Sequence, residues 1–249
     1  MTGLVLQARL DSTRLPGKSL LPLGEKPLIL AVMEALKDIP ADLYVLACPE
    51  DCAGPFRPLA EQAGFVLLPG PKEDVLARYC LAVRRFNISR VIRATGDNPF
   101  VFTAAAAAIN HEAAALNAAY GGYRGLPPGA GVESVDAGAL LRAETGALTP
   151  YDREHVCPYL YGHPELFCLH QPPAPQRWRG NGVRLTVDTP EDYERAKTLY
   201  AALSRLEDPR SRRQGETIIA LYKEIFPLRA EQKALNKPPA GDASPEIII

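Results

Sequence analysis

The 249-residue chain has no apolar run approaching the roughly 18 residues that a membrane span requires. Its five cysteines, Cys48, Cys52, Cys80, Cys157 and Cys168, are odd in number and lack CxxC spacing. Neither a disulfide framework nor a zinc site follows, and buried reduced thiols in a reducing compartment are the expectation. Net charge is nearly absent: 28 Lys and Arg stand against 29 Asp and Glu, a formal −1. No global field therefore draws the chain to nucleic acid or to an anionic membrane, and any anion site must be local. Two nucleotide signatures are missing, the GxxxxGK[ST] loop and a GxGxxG after the first strand. No serine has a paired His and Asp at telling spacing, which leaves acyl-transfer hydrolysis without support. The first residues read as one apolar strand followed by charges, unlike a signal peptide, so a cytoplasmic location is expected.

What is present is ordinary for a folded soluble chain: 47% apolar and 23% charged residues. The length suits one large α/β domain or two small ones. Strand-like runs at 4–7, 43–47, 65–68 and 90–94 alternate with helical patterns at 27–36, 54–63, 73–86 and 103–116. Pro27 suits a first helical turn, and the acidic residues of EDVLARYCLAVRRF suit the start of an amphipathic helix. This alternation predicts an α/β fold, a three-layer doubly wound and mainly parallel sheet. Beyond residue 119 the pattern loosens. A long loop is expected over 120–131, a strand over 132–135, a helix over 137–144 and a helix over 151–161 interrupted by Pro158. Strands are expected at 166–170 and 183–187, and helices at 190–206, with Thr189 as N-cap and Pro190 at N1, and at 216–226. A single domain over 1–228 and a loosely held tail over 229–249 complete the expected layout. No internal repeat is visible.

The chemistry concentrates in LVLQARLDSTRLPGK, residues 4–18. Arg9, Arg14 and Lys18, with Ser12, Thr13 and Gly17 between them, follow a buried strand. Arginine chelates phosphate with two parallel hydrogen bonds, lysine adds a point charge, and small residues let backbone N–H groups turn inward. The loop reads as a triphosphate site; the simpler alternative is a turn with surface cations. Asp97 in RATGDNP and Asp188 in RLTVDTPED each follow a predicted strand. In an open α/β sheet, ligands gather outside the carboxyl ends of the strands. Both aspartates should therefore face the cation loop, where two carboxylates plus substrate phosphates are what magnesium asks for. Taken singly, each could instead be a turn or capping residue. Arg78 falls on a predicted helix near the sheet's mouth, and His155 is a general base by type or a member of an ion-pair network.

In order along the chain, QARLDSTRLPGKSL, EDVLARY, RATGDNPF, GVESV, REHVCPYLY and RLTVDTPEDYE resemble the cytidylyltransferases that activate acidic sugars, the CMP-3-deoxy-manno-octulosonate and CMP-acylneuraminate synthetases. The resemblance spans most of residues 4–197 and points to the branch named after the spore-coat polysaccharide biosynthesis protein F. It implies a nucleotide-diphospho-sugar-transferase (Rossmann-like) fold. It also implies a magnesium-dependent reaction in which CTP and a small acidic acceptor give a CMP-sugar and pyrophosphate, for surface polysaccharide biosynthesis. By position it assigns Arg9, Arg14 and Lys18 to the triphosphate, with Lys18 on the departing pyrophosphate, and Asp97 and Asp188 to Mg²⁺. Gln7, Ala8, Ser12 and Arg78 fall on the nucleotide side, and Glu133, Arg153 and His155 on the acceptor side. A homodimer is implied, with residues 119–175 as its dimerisation and acceptor segment. The chain departs from the branch at PPGAGVE, residues 127–133, where Pro128 and Gly131 replace acidic residues of a PDGLDVE-like run. That loop is expected to choose the acceptor. A nucleotide-sugar-dependent glycosyltransferase of the same fold would carry a DxD-type motif, and TGDNP is all that stands there. A nucleotide-binding homologue without catalysis would have no need of an aspartate pair.

Overall fold

A computed structural model describes residues 1–227. The expected tail lies outside the described residues. The strands are β1 (Thr2–Gln7), β2 (Pro22–Leu23), β3 (Lys26–Pro27), β4 (Leu43–Pro49), β5 (Val66–Gly70), β6 (Arg90–Thr95), β7 (Tyr120–Gly121), β8 (Glu133–Asp136) and β9 (Leu169–His170). The α-helices are α1 (Leu28–Leu36), α2 (Ala53–Ala63), α3 (Val75–Phe86), α4 (Thr103–Ala115), α5 (Ala137–Gly146), α6 (Pro150–His155), α7 (Pro158–Tyr161), α8 (Pro190–Ser204) and α9 (Gly215–Ile225). A seven-stranded sheet runs β5-β4-β1-β6-β8-β7-β9, with β8 antiparallel to both neighbours and the remaining pairs parallel. The expected α/β sheet with helices on both faces is thus present.

The central strands are buried on both faces, which explains their continuous apolar runs. In β1, Leu4 and Leu6 join the core that contains α1, α4 and α8 residues, while Val5 joins the opposite core with α3 and α5 residues. Strand β6 alternates the same way, Ile92 and Ala94 against Val91. All five cysteines are free thiols and four are buried. Among the described residues, no helix is long and apolar enough to cross a membrane.

Several expected boundaries move, each for a local reason. Pro27 is the N-cap of α1 and pairs in β3, so the helix begins one residue later. Asp74 is the N-cap of α3, accepting from the Ala77 N–H at 2.8 Å, which leaves Glu73 outside the helix. Residues 120–121, expected in a loop, form β7. The helix expected over 151–161 splits into α6 and α7 at Val156, whose φ is 72°. Only the last two residues of 166–170 pair as β9.

The largest correction concerns residues 183–187, which form no strand. Their alternation is real, because Val183, Leu185 and Val187 are buried in the core beside α1 and α8. Their backbone partners are loops: the Leu185 N–H donates to Pro128 O at 2.8 Å, and the Val187 N–H to Asp97 O at 2.9 Å. Asp188 therefore follows an extended tether between two loops.

Helix α8 begins as expected, with Thr189 as N-cap and Pro190 at N1, closed by a capping box with Asp192. The buried Asp192 carboxylate accepts from the Asp188 and Thr189 N–H groups and pairs with Arg184 (3.1 Å) and Arg195 (2.6 Å). Burial alone would raise its pKa, but the hydrogen bonds from Arg184 and Arg195 outweigh it and hold the carboxyl below its usual value. A depressed folded value stabilises the fold above the ordinary carboxylate pKa, and that contribution is lost as pH falls through the folded value. Asp192→Asn should accordingly lower stability by about 1–3 kcal/mol at neutral pH. In denaturation curves, its deficit against wild type should close below about pH 4.

Candidate active site

The chain runs from β1 to β4 and β5 on one side, then returns to place β6 on the other flank of β1. The order reverses between β1 and β6, and a cleft of about 320 Å³ opens there, at the carboxyl ends of these strands. Gln7, Ala8, Arg9, Ser12, Arg14, Lys18, Arg78, Asp97, His155 and Asp188 all line it. The aspartates and the cation loop, far apart in sequence, share one space.

Lys18 is at its centre. Its Nζ donates to Asp97 Oδ2 at 2.9 Å, to Asp188 Oδ1 at 3.1 Å and to Val187 O at 2.8 Å. An ammonium has three donors, and all three are used within the protein. Its side chain is 11% exposed. In this arrangement Lys18 orders the aspartates, and the cations open to a ligand are Arg9 and Arg14. This differs from the expected aim of Lys18 at pyrophosphate, and the cause is that the two carboxylates claim it. Gly17, at φ 67°, turns the loop so that Lys18 starts a short 3₁₀ turn, and Ser19 Oγ donates to Arg9 O at 3.0 Å.

Asp188 carries three cations: Lys18 and Arg14 (3.3 Å) on Oδ1, and Arg184 (2.8 Å) on Oδ2. It is not the helix cap, because Thr189 and Asp192 cap α8. That leaves its carboxylate to the cleft. Asp97 and Asp188 are bonded to one common atom, so they flank a single cationic position. Their all-oxygen donor set fits a hard divalent ion that keeps waters and substrate phosphates. Among the described residues no cluster of three or more His, Cys, Asp or Glu could hold a metal. The protein thus offers part of a coordination sphere and a phosphate would have to complete it.

Arg78 is buried, and its Nη1 donates to Pro71 O at 2.5 Å and to Lys72 O at 2.9 Å. Burial, before any neighbouring charge, lowers its pKa. Its Nε, the Gln7 Oε1, the Arg93 Nε and the Asn98 Oδ1 are buried polar atoms without a partner. All four residues line the cleft. Unpaired buried polar atoms are costly, and their clustering marks a surface shaped for a polar ligand. His155, at the rim, stacks on Tyr151 with ring centroids 4.4 Å apart. Desolvation first, then the charges of Arg93 and Arg9, hold its pKa below the ordinary value against Glu154.

The other residues expected on the acceptor side separate. Arg153 lines neither this cleft nor its neighbour: it pairs with Asp74 and donates to Glu144 O, pinning α6 to the start of α3. Glu133 lines an adjoining cavity of about 50 Å³ bounded by the 122–132 loop. There it pairs with Arg93, directly opposite in the β6–β8 ladder, and accepts from Tyr120 OH at 2.9 Å. Arg93, Thr95 and Asn98 line both spaces. Sequence reading passed over Arg93, although an arginine inside an apolar strand, RVIRAT, is itself a signal, since burying a charge requires a partner.

Comparison with known proteins identifies the family. Residues 4–225 match the cytidylyltransferase family model. The chain is 32% identical over 203 residues to the spore coat polysaccharide biosynthesis protein SpsF of Bacillus subtilis, covering 79% of this chain and 85% of that one. A cytidylyltransferase from Leptospira borgpetersenii superposes with a TM-score of 0.77 at 24% identity, covering 98% of this chain and 99% of that one. A CMP:2-keto-3-deoxy-manno-octonic acid synthetase complexed with CTP superposes with a TM-score of 0.62 at 15% identity, covering 81% of this chain and 98% of that one. The chain belongs to the cytidylyltransferase family and is a nucleotidyltransferase.

Gly129 gives a direct test of how the site is held. Its φ is 85°, and an added Cβ would sit 2.4 Å from Thr186 N and 2.7 Å from Leu185 C, both backbone atoms. Gly129→Ala should push the 185–188 tether away from its loop. The expected result is a destabilisation of about 1–3 kcal/mol in thermal or chemical denaturation, with a loss of turnover as Asp188 shifts.

Proposed function

We propose that this cytidylyltransferase takes CTP in the cleft between β1 and β6 and transfers CMP to a small hydroxyl-bearing acceptor, releasing pyrophosphate. The observation that carries this reading is Lys18 joining Asp97 and Asp188 beside Arg9 and Arg14. A triphosphate needs several fixed cations, and the aspartates supply a place for Mg²⁺ against it. When bound, the ion would neutralise charge on the phosphates and orient them. Arg9 and Arg14 line the same cleft and would stabilise the charge that grows on the leaving pyrophosphate as the acceptor oxygen bonds to the α-phosphorus. Lys18 acts by holding both carboxylates in place, a positioning role that spares substrate binding the work of ordering them. Gln7 and Arg78 line the same cleft, and their unpaired buried acceptor and donor atoms suit the edge of a base. Support for CTP comes from the synthetase that was solved with it. The spore-coat relative supports a role in polysaccharide biosynthesis.

An acidic sugar is the acceptor that the family resemblance implies. The cavity that would receive it carries no uncompensated cation.

A thermal-shift screen of CTP, UTP, GTP and ATP with Mg²⁺ should show its largest stabilisation with CTP. No shift with CTP would overturn the reading. Asp97→Asn and Asp188→Asn should each reduce pyrophosphate release by roughly 10²–10³-fold. Chelation of divalent ions should abolish release, and restored Mg²⁺ should recover it. Unchanged rates in either variant would remove that residue from the ion's site.

A further inference from the structure

Three carboxylates line the cleft, those of Asp97, Glu154 and Asp188. Lys18 joins the first and the third. Glu154 stands apart: it reaches the cleft from α6 and pairs there with Arg9, Oε1 to Nη1 at 3.2 Å. Resting on the reading of the cleft as a CTP site, we infer that Glu154 is the counter-charge of Arg9 and limits how tightly the cleft holds a polyphosphate, CTP before the reaction and pyrophosphate after it.

The fold places this carboxylate deliberately. Helix α6 buries none of its own residues, so its position is set at its ends. On one side Arg153 ties it to Asp74 and to the Glu144 carbonyl. On the other, the Cys157 N–H donates to His155 O at 2.8 Å around Val156, whose φ of 72° and ψ of −56° close a tight γ-turn. A β-branched residue avoids positive φ, and such strain persists only where the surroundings over-determine it. Here Val156 and Cys157 are fully buried in the core with α3 and α5 residues. Between these two anchors stand Glu154 and His155, and both line the cleft.

Charge then sets what Glu154 does. Among the described residues Arg9 is the only cation within ion-pair distance of it. Asp11, the other carboxylate near Arg9 at 3.8 Å, is itself held by Lys72 at 3.0 Å. A guanidinium chelates a phosphate along its Nη1–Nη2 edge or its Nε–Nη2 edge. Glu154 contacts the first edge and Asp11 approaches the second, so a polyphosphate takes Arg9 against standing competition. The side chains of Arg9 and Glu154 are 47% and 35% exposed, and a pair so exposed is worth about 2–5-fold in an equilibrium constant. That is weak enough to yield to a triphosphate. The Glu154 charge also acts on Arg78 and His155, which share the cleft. Binding substrate and transition state more tightly alike does not speed the chemical step, and product release limits many enzymes. A carboxylate that reclaims Arg9 offsets the loss of the departing pyrophosphate.

The test titrates the full chain, with Mg²⁺ and no acceptor, with pyrophosphate, CTP and CMP by calorimetry. Glu154→Gln keeps the shape and removes the charge. It should bind pyrophosphate and CTP about 3–5-fold more tightly, and CMP, which lacks the leaving phosphates, less than about twofold more tightly. Loss of a merely structural contact would weaken all three. Glu154→Asp keeps the charge and should stay within about twofold of wild type for every ligand. Glu154→Ala repeats the loss of charge with a different side chain and should move binding in the same direction as Glu154→Gln. Unchanged or weaker binding of pyrophosphate and CTP in the uncharged variants overturns the inference, since Glu154 would then orient Arg9 or stand idle. An equal gain for CMP marks a general change of the cleft and overturns it as well. Wild-type protein that binds pyrophosphate but not CTP sinks the nucleotide reading instead, and the role of Glu154 is then decided by pyrophosphate alone.

Discussion

One ammonium group holds the candidate site together. Lys18 Nζ bonds to Asp97, Asp188 and the Val187 carbonyl, which lie 79, 170 and 169 residues away in the chain. Two carboxylates facing one cleft would repel each other, and the cost grows as water is excluded. A lysine between them, supplied by the cation loop, removes that cost and ties the loop after β1, the loop after β6 and the approach to α8 to one point. The arrangement explains why Lys18 is nearly buried while the side chain of Arg14, on the same loop, is 65% exposed.

The second constraint is the tether over residues 183–187. It is extended and buried, yet it belongs to no sheet, because its backbone N–H groups bond to Gly180, Pro128 and Asp97, none of them in a strand. Through it, the loop that bounds the smaller cavity and the loop that carries Asp97 fix the position of Asp188. The capping box of α8 fixes the other side, since Asp192 holds the Asp188 N–H. The cleft and the smaller cavity are therefore mechanically joined. A change of the 127–133 loop also bears on Asp188, which explains why that loop needs a glycine where its backbone touches Thr186.

Much of this was legible in the chain. The alternation of apolar strands with capped amphipathic helices reflects local rules, period and capping, and the β1-to-α4 half of the molecule follows it closely. The grouping of Arg9, Arg14, Lys18 and Asp97 was readable too, because residues at the carboxyl ends of parallel strands share one edge of the sheet; Asp188 joins them although no strand precedes it. The errors lie where partners are distant. Residues 183–187 alternate like a strand because one side is buried, and periodicity cannot tell a ladder from a lone packed segment. Residues 120–121 looked like loop because glycine is abundant there, and tertiary pairing with β8 and β9 overrode local preference.

By itself, then, the sequence determined the layered α/β fold, the doubly buried strands and the set of charged residues gathered at one end of the sheet. These follow from spacing along the chain. The tertiary structure alone decided how those charges are shared. It gave Lys18 to the aspartates, Arg153 to the N-cap of α3, and Arg93 to Glu133 across a β-ladder. Each pairing depends on which buried charge finds its counter-charge within a few ångströms, and such distances are set by the packing of segments far apart in the chain.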